Sequence, residues 1–156
     1  MIIHEEGYVY NFNFYLVFVT KYRRKIFDTQ EKVNTMKAIL QRQATISKVT
    51  VSQLEVMPDH VHMLISFKPK YAPSNIVKNL KGASARIWFK QYPETKQLLW
   101  GGHLWSPSYY MGTLGDMSKE VVEKYIESQY TEAMRRQLKG YYGKNRYVSL
   151  AGLTPD

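Results

Sequence analysis

Hydrophobic and polar positions follow two periods along this chain. Over residues 9–20, "VYNFNFYLVFVT", β-branched and aromatic types dominate, which predicts a strand. A basic extension, "KYRRKIF", follows. Over 29–47 the period lengthens. Val33, Met36, Ile39 (or Leu40) and Ala44 form one stripe, which predicts a helix. Thr29 is its expected N-cap, with Lys32 at N3 where an acid would complete a capping box. Residues 49–57, "VTVSQLEVM", and 60–67, "HVHMLISF", predict a hairpin turned at Pro58-Asp59. A Pro-rich loop, "KPKYAP", leads to a helix over about 74–91, with Ser74 as cap and Ile76, Leu80, Ala83 and Ile87 on one face. Residues 100–110, "WGGHLWSPSYY", predict a Gly-led strand with an edge-like Pro107. Ser118 opens a last helix, "SKEVVEKYIESQYTEAMRRQL", and the tail beyond it is basic, aromatic and then irregular.

The predicted order is strand, helix, strand, strand, helix, strand, helix. This is the β-α-β-β-α-β order of a ferredoxin-like (RRM-like) α+β domain with an added C-terminal helix that bears tyrosines. An antiparallel sheet would then carry helices on one face and leave the other open. The 156 residues suit one domain, 1–156, with its core over about 9–140.

Charge and composition narrow the function. Net charge is +9, so a polyanion is the expected partner and nucleic acid the first candidate. A membrane surface ranks second, but no apolar run approaches the roughly 20 residues that span a bilayer. The start, "MIIHEEGYVY", carries acids where a signal peptide needs bases. Cysteine is absent, which excludes disulfides and thiolate metal sites and fits a cytoplasmic protein.

Two constellations carry chemistry. Side chains alternate along a strand, so His60, His62, Leu64 and Ser66 point one way and Val61, Met63, Ile65 and Phe67 the other. The second set belongs against the helices, so the two histidines share the open face. There they can seat one ion at about 2.0–2.2 Å, or stand as two partly exposed histidines with no ligand. On the last helix Tyr125 and Gln129 are four residues apart and share a face. A tyrosine hydroxyl is a candidate nucleophile and a glutamine oxygen a candidate ligand for a hard metal. With 13 tyrosines in the chain, packing or base stacking is the commoner use.

The blocks "YLVFVTKYRRKIF", "LEVMPDHVHMLISF", "VKNLKGASARIWF", "LWGGHLWSPSYY" and "VEKYIESQ" resemble, in order and spacing, the TnpA-type single-tyrosine HUH transposases of small insertion sequences, the IS200-like family. "HVH" resembles the HUH motif itself, and the resemblance runs from about residue 12 to 130. It implies a divalent metal, Mg²⁺ or Mn²⁺, held by His60, His62 and Gln129. It implies Tyr125 as nucleophile, with a 5′-phosphotyrosine intermediate. The implied substrate is single-stranded DNA with subterminal hairpins. The implied assembly is a homodimer whose composite sites can take histidines from one subunit and the tyrosine helix from the other.

Lys21, Arg23 and Arg24 after the first strand, and Lys78, Lys81 and Arg86 on the second helix, are the expected DNA contacts, though each cluster also reads as an ordinary solvated face. Arg135, Arg136, Lys139, Lys144 and Arg146 form a further basic group. Tyr22, Trp88, Trp105 and Tyr110 are candidates to stack on unpaired bases, with Trp88 the strongest candidate for the core instead. Rival readings are a domesticated or replication-type HUH nickase, a non-catalytic nucleic-acid-binding module, and a metallohydrolase working through bound water.

Overall fold

The computed structural model describes residues 3–5, 8–10, 13–113, 120–121 and 123–128. Strands β1 (Ile3–Glu5) and β2 (Tyr8–Tyr10) pair antiparallel as a small hairpin. The main sheet contains β3 (Asn13–Val19), β4 (Thr50–Met57), β5 (His60–Ser66) and β6 (Tyr110–Thr113), in the order β4-β5-β3-β6. All its neighbours are antiparallel. Helices α1 (Gln30–Ile46) and α2 (Pro73–Gln91) complete the expected β-α-β-β-α-β order.

Alternation divides the sheet into two faces. Leu16 and Phe18 of β3, with Val61, Met63 and Ile65 of β5, are fully buried against Met36 and Leu40 of α1 and Leu80 and Trp88 of α2. Each such side chain contributes roughly 1.5–3 kcal/mol by leaving water. On β4 a register shift between Val51 and Gln53 keeps Val51, Leu54 and Val56 toward this core. Trp88 is in the core as expected, its indole donating to Thr95 Oγ1 at 3.0 Å. Trp105 and Tyr22 are also buried, so neither ring lies open to a base.

Several boundaries differ from expectation. The strand over 9–20 is two strands, because Tyr8–Tyr10 turns back on Ile3–Glu5 before β3 begins at Asn13. Ser74 is not the cap of α2. Pro73 occupies the first turn and Ala72 the cap position, with no side-chain hydrogen bond. A proline lacks the N–H that a cap would satisfy there. The strand over 100–110 is a loop, and the strand lies later, at Tyr110–Thr113. Gly101 and Gly102, at φ +83° and +70°, turn the chain where a strand would need extended backbone. Thr29 does cap α1, accepting from the Lys32 N–H at 3.2 Å. Of the last helix, residues 120–121 and 123–128 are described and helical, while Ser118 and residues 129–138 lie outside the described residues.

Candidate active site

The two-residue turn at Pro58-Asp59 delivers β5 with His60 and His62 on the face away from α1 and α2. Across β3 their Cα partners are Val19 and Val17; across β4 they are Met57 and Glu55. His60 Nδ1 lies 2.8 Å from Asp59 Oδ1, and Arg23 Nε lies 2.8 Å from Asp59 Oδ2. A ring nitrogen facing a carboxylate carries the proton, so His60 keeps its lone pair on Nε2. Burial raises the Asp59 pKa, but the His60 hydrogen bond and the Arg23 guanidinium outweigh it, and the carboxyl titrates below its ordinary range. His62 packs its ring against Tyr15, with centroids 5.2 Å apart, and its Nε2 is buried without a hydrogen-bond partner. Burial and the neighbouring His60 push the His62 pKa down, against the opposing pull of Glu55. A neutral imidazole is the form that ligates metals.

Local backbone sets Arg23 on Asp59. Thr20 donates to the Asp59 carbonyl from its N–H (2.9 Å) and its hydroxyl (3.2 Å), and the Phe27 N–H donates to the Pro58 carbonyl (3.0 Å). Residues 20–27 therefore wrap the turn. Tyr22 and Arg23 hold left-handed backbone at φ 60° and 50°, a conformation that costs on the order of 1–3 kcal/mol per non-glycine residue. Burial of Tyr22, whose hydroxyl donates to the Trp100 carbonyl at 3.1 Å, opposes that cost.

Tyr125 comes from the other side of the same face. Ile126 is buried on Val17 and Val19, and Tyr125 packs beside them. Its ring stands 5.7 Å from that of Tyr110, and its hydroxyl 2.9 Å from Ser108 Oγ. Burial raises its pKa, and the Ser108 hydrogen bond pulls the other way. The histidine pair and Tyr125 thus lie on one sheet face, over two valines that are cross-strand partners of the histidines. Gln129 lies outside the described residues.

The two imidazoles suit a divalent cation. One has a buried nitrogen with no hydrogen-bond partner, and the other is oriented by a carboxylate. Among the described residues no three His, Asp or Glu gather to hold an ion.

The expected DNA contacts are placed unequally. Lys78 and Arg86 are exposed on α2. Lys21 holds its ammonium 5.6 Å from the Tyr22 ring centroid, and the Arg24 guanidinium stands 5.6 Å from that of Trp100. Arg23 engages Asp59. Lys81 turns inward, donating to the carbonyls of Ser106 (2.6 Å) and Ser108 (2.9 Å). Asp59 and Ser108 escape a reading of the sequence. Asp59 reads as a turn residue, its one signal being its place beside the histidine motif, and Ser108 lies in a stretch with no period.

Residues 8–129 match the family model described as "Transposase IS200 like". The chain belongs to this family. Its function is that of an IS200-like transposase. It is 44% identical over 124 residues to the ISDra2 transposase TnpA of Deinococcus radiodurans, covering 80% of this chain and 88% of that one. It is 30% identical over 123 residues to the transposase for insertion sequence element IS200 of Salmonella typhimurium, covering 79% and 80%. Its fold is similar to the crystal structure of a protein from Deinococcus radiodurans R1 described as a transposase. The TM-score is 0.77 and the identity 40%, over 82% of this chain and 98% of that one. No described helix of this IS200-like chain is long and apolar enough to cross a membrane.

Proposed function

We propose that this IS200-like transposase cleaves and rejoins single-stranded DNA at the ends of an insertion sequence, with Tyr125 as nucleophile. The observation that carries the reading is the docking of Tyr125 on the face that bears His60 and His62, over Val17 and Val19. In the proposed step the Tyr125 oxygen attacks a backbone phosphorus and forms an O–P bond. The P–O3′ bond breaks and its electron pair leaves on the 3′ oxygen. The phenol proton passes to solvent and the departing oxygen takes one from solvent, so no net proton is consumed. The product is a 5′-phosphotyrosine and a free 3′-OH. A second 3′-OH reverses the chemistry and rejoins DNA without a nucleotide triphosphate.

His60, His62 and Gln129 are the residues that would hold a divalent ion, Mg²⁺ or Mn²⁺, which supplies charge stabilisation at the reacting phosphate when bound. His60 is pre-oriented for this by Asp59 and Arg23. The substrate we propose carries subterminal hairpins. Exposed Lys78 and Arg86 are the leading phosphate contacts, joined by the Lys21–Arg24 segment. We further propose that the whole chain acts as one domain, as a homodimer with composite sites, in the cytoplasm.

The test is mass spectrometry of the chain incubated with Mg²⁺ or Mn²⁺ and single-stranded DNA spanning the ends of its element. We expect a covalent adduct on Tyr125, lost in Tyr125→Phe while DNA binding stays within about twofold, since the change removes one oxygen and no charge. Cleavage that persisted in Tyr125→Phe would overturn the assignment and favour attack by bound water. Binding without any adduct would favour a non-catalytic module.

A further inference from the structure

The loop before β6 is pinned at three points. The Trp105 indole donates to Ser84 Oγ of α2 at 3.0 Å. The Ser106 N–H donates to the Val19 carbonyl of β3 at 2.9 Å. The Lys81 ammonium, one turn before Ser84, donates to the carbonyls of Ser106 and Ser108 at 2.6 and 2.9 Å. Lys81 is half-buried, and burial brings its pKa down to about 8. A half-buried cation, costly to desolvate, is thus committed to two backbone oxygens on a loop whose residues 100–109 include no acid.

What that loop presents is Ser108 Oγ, 2.9 Å from the Tyr125 hydroxyl. Either hydroxyl can donate while the phenol holds its proton. Once Tyr125 attacks phosphorus its oxygen has no hydrogen, and only Ser108 can donate. In the rejoining direction the same oxygen departs as a phenolate, and an O–H donor to an anionic oxygen makes a shorter and stronger bond. The contact is therefore worth more as charge develops than at rest, which is what accelerates a step.

We propose that Ser108 is a positioning residue for Tyr125, aiming its hydroxyl and stabilising its phenolate, and that Lys81 anchors Ser108 there. This rests on Tyr125 being the nucleophile, so one readout is chosen to be independent of cleavage. In the free full-length chain labelled with [¹³Cζ]tyrosine, the resonance lost in Tyr125→Phe reports the Tyr125 phenol. Ser108→Ala raises its titration midpoint by about one unit, the size expected for losing a hydrogen bond to a charged oxygen, and Ser108→Thr restores it.

The second readout is single-turnover adduct formation on single-stranded DNA from the element ends. Ser108→Ala slows it about tenfold at pH 7, corresponding to that one-unit shift, with DNA binding within about twofold. Lys81→Met slows it in the same direction, and the double variant is no slower than Ser108→Ala, because the two act in series. If Lys81→Met does not fold by circular dichroism, the Ser108 variants decide the proposal alone. A Ser108→Ala chain with the wild-type Tyr125 midpoint and wild-type rate overturns it. Additive loss in the double variant removes Lys81. Adduct formation by Tyr125→Phe would instead remove the nucleophile reading, leaving the midpoint shift to stand as a property of the phenol.

Discussion

The carboxylate of Asp59 is shared between Arg23 and His60, and that sharing orients the imidazole. Asp59→Asn keeps an oxygen for the ring but removes the charge that holds the ring's tautomer. We expect Mn²⁺ affinity to fall about 10–100-fold, read by titration of the free chain with Mn²⁺ and electron paramagnetic resonance. Unchanged affinity would show that the ring needs no carboxylate. Lys81 makes a second prediction, in the pH dependence of stability. Its pKa is about 8 in the folded chain against an ordinary value of 10.5. A lowered folded pKa contributes stability that is full above the ordinary value and is lost as pH falls through the folded one. Urea midpoints should therefore climb between pH 8 and about 10, and Lys81→Met should flatten the climb. Tyr22 and Tyr125, whose burial raises their pKa, act oppositely: their contribution is lost as pH rises beyond about 10. At this scale the histidine pair was legible, because strand alternation places His60 and His62 together. Asp59 and Ser108 were not, because each acts through a contact that no local period encodes.

Elements were legible where periodicity was long and misplaced where a turn residue decided. Helix α1 carries its stripe and its cap: Met36, Leu40 and Ala44 are fully buried and Thr29 accepts from Lys32. In α2 the stripe was right, but Pro73 precedes Ser74 and moves the start by one residue. The two hydroxyls therefore differ in worth. Thr29→Ala should lower stability by about 1 kcal/mol and Ser74→Ala by no more than a few tenths, compared by urea denaturation. Equal losses would mean that Ser74 satisfies an orphan N–H in solution after all. Strand β6 shows the reverse error. The aromatic run "WGGHLWSPSYY" has strand composition, yet Trp105 is held by an indole bond to α2 and a single bridge to Thr20, and the continuous ladder with β3 starts at Tyr110. Composition can mark burial without marking extension, and the glycines at 101 and 102 break the backbone first.

For the whole molecule, the order of elements was enough to fix the sheet, because right-handed crossovers leave few ways to pair four strands around two helices. What order does not fix is where the +9 charge is available to a ligand. Cations on α2 are not equivalent: Lys78 and Arg86 are exposed, whereas Lys81 donates to two carbonyls. Each phosphate contact on a single strand contributes about −0.7 to the slope of log K against log salt. Lys78→Gln with Arg86→Gln should therefore make the slope shallower by up to about 1.4, the value if both side chains meet phosphates. Lys81→Met removes the same formal charge as either single change and should leave the slope within error of wild type, because its ammonium already faces protein oxygen. Fluorescence anisotropy of a labelled single strand over a salt series measures all of these. A Lys81→Met slope that fell as far as Lys78→Gln would mean the ammonium leaves its carbonyls to meet DNA. In that case the loop bearing Ser108 would be released at the moment of binding, and the anchor would act as a switch.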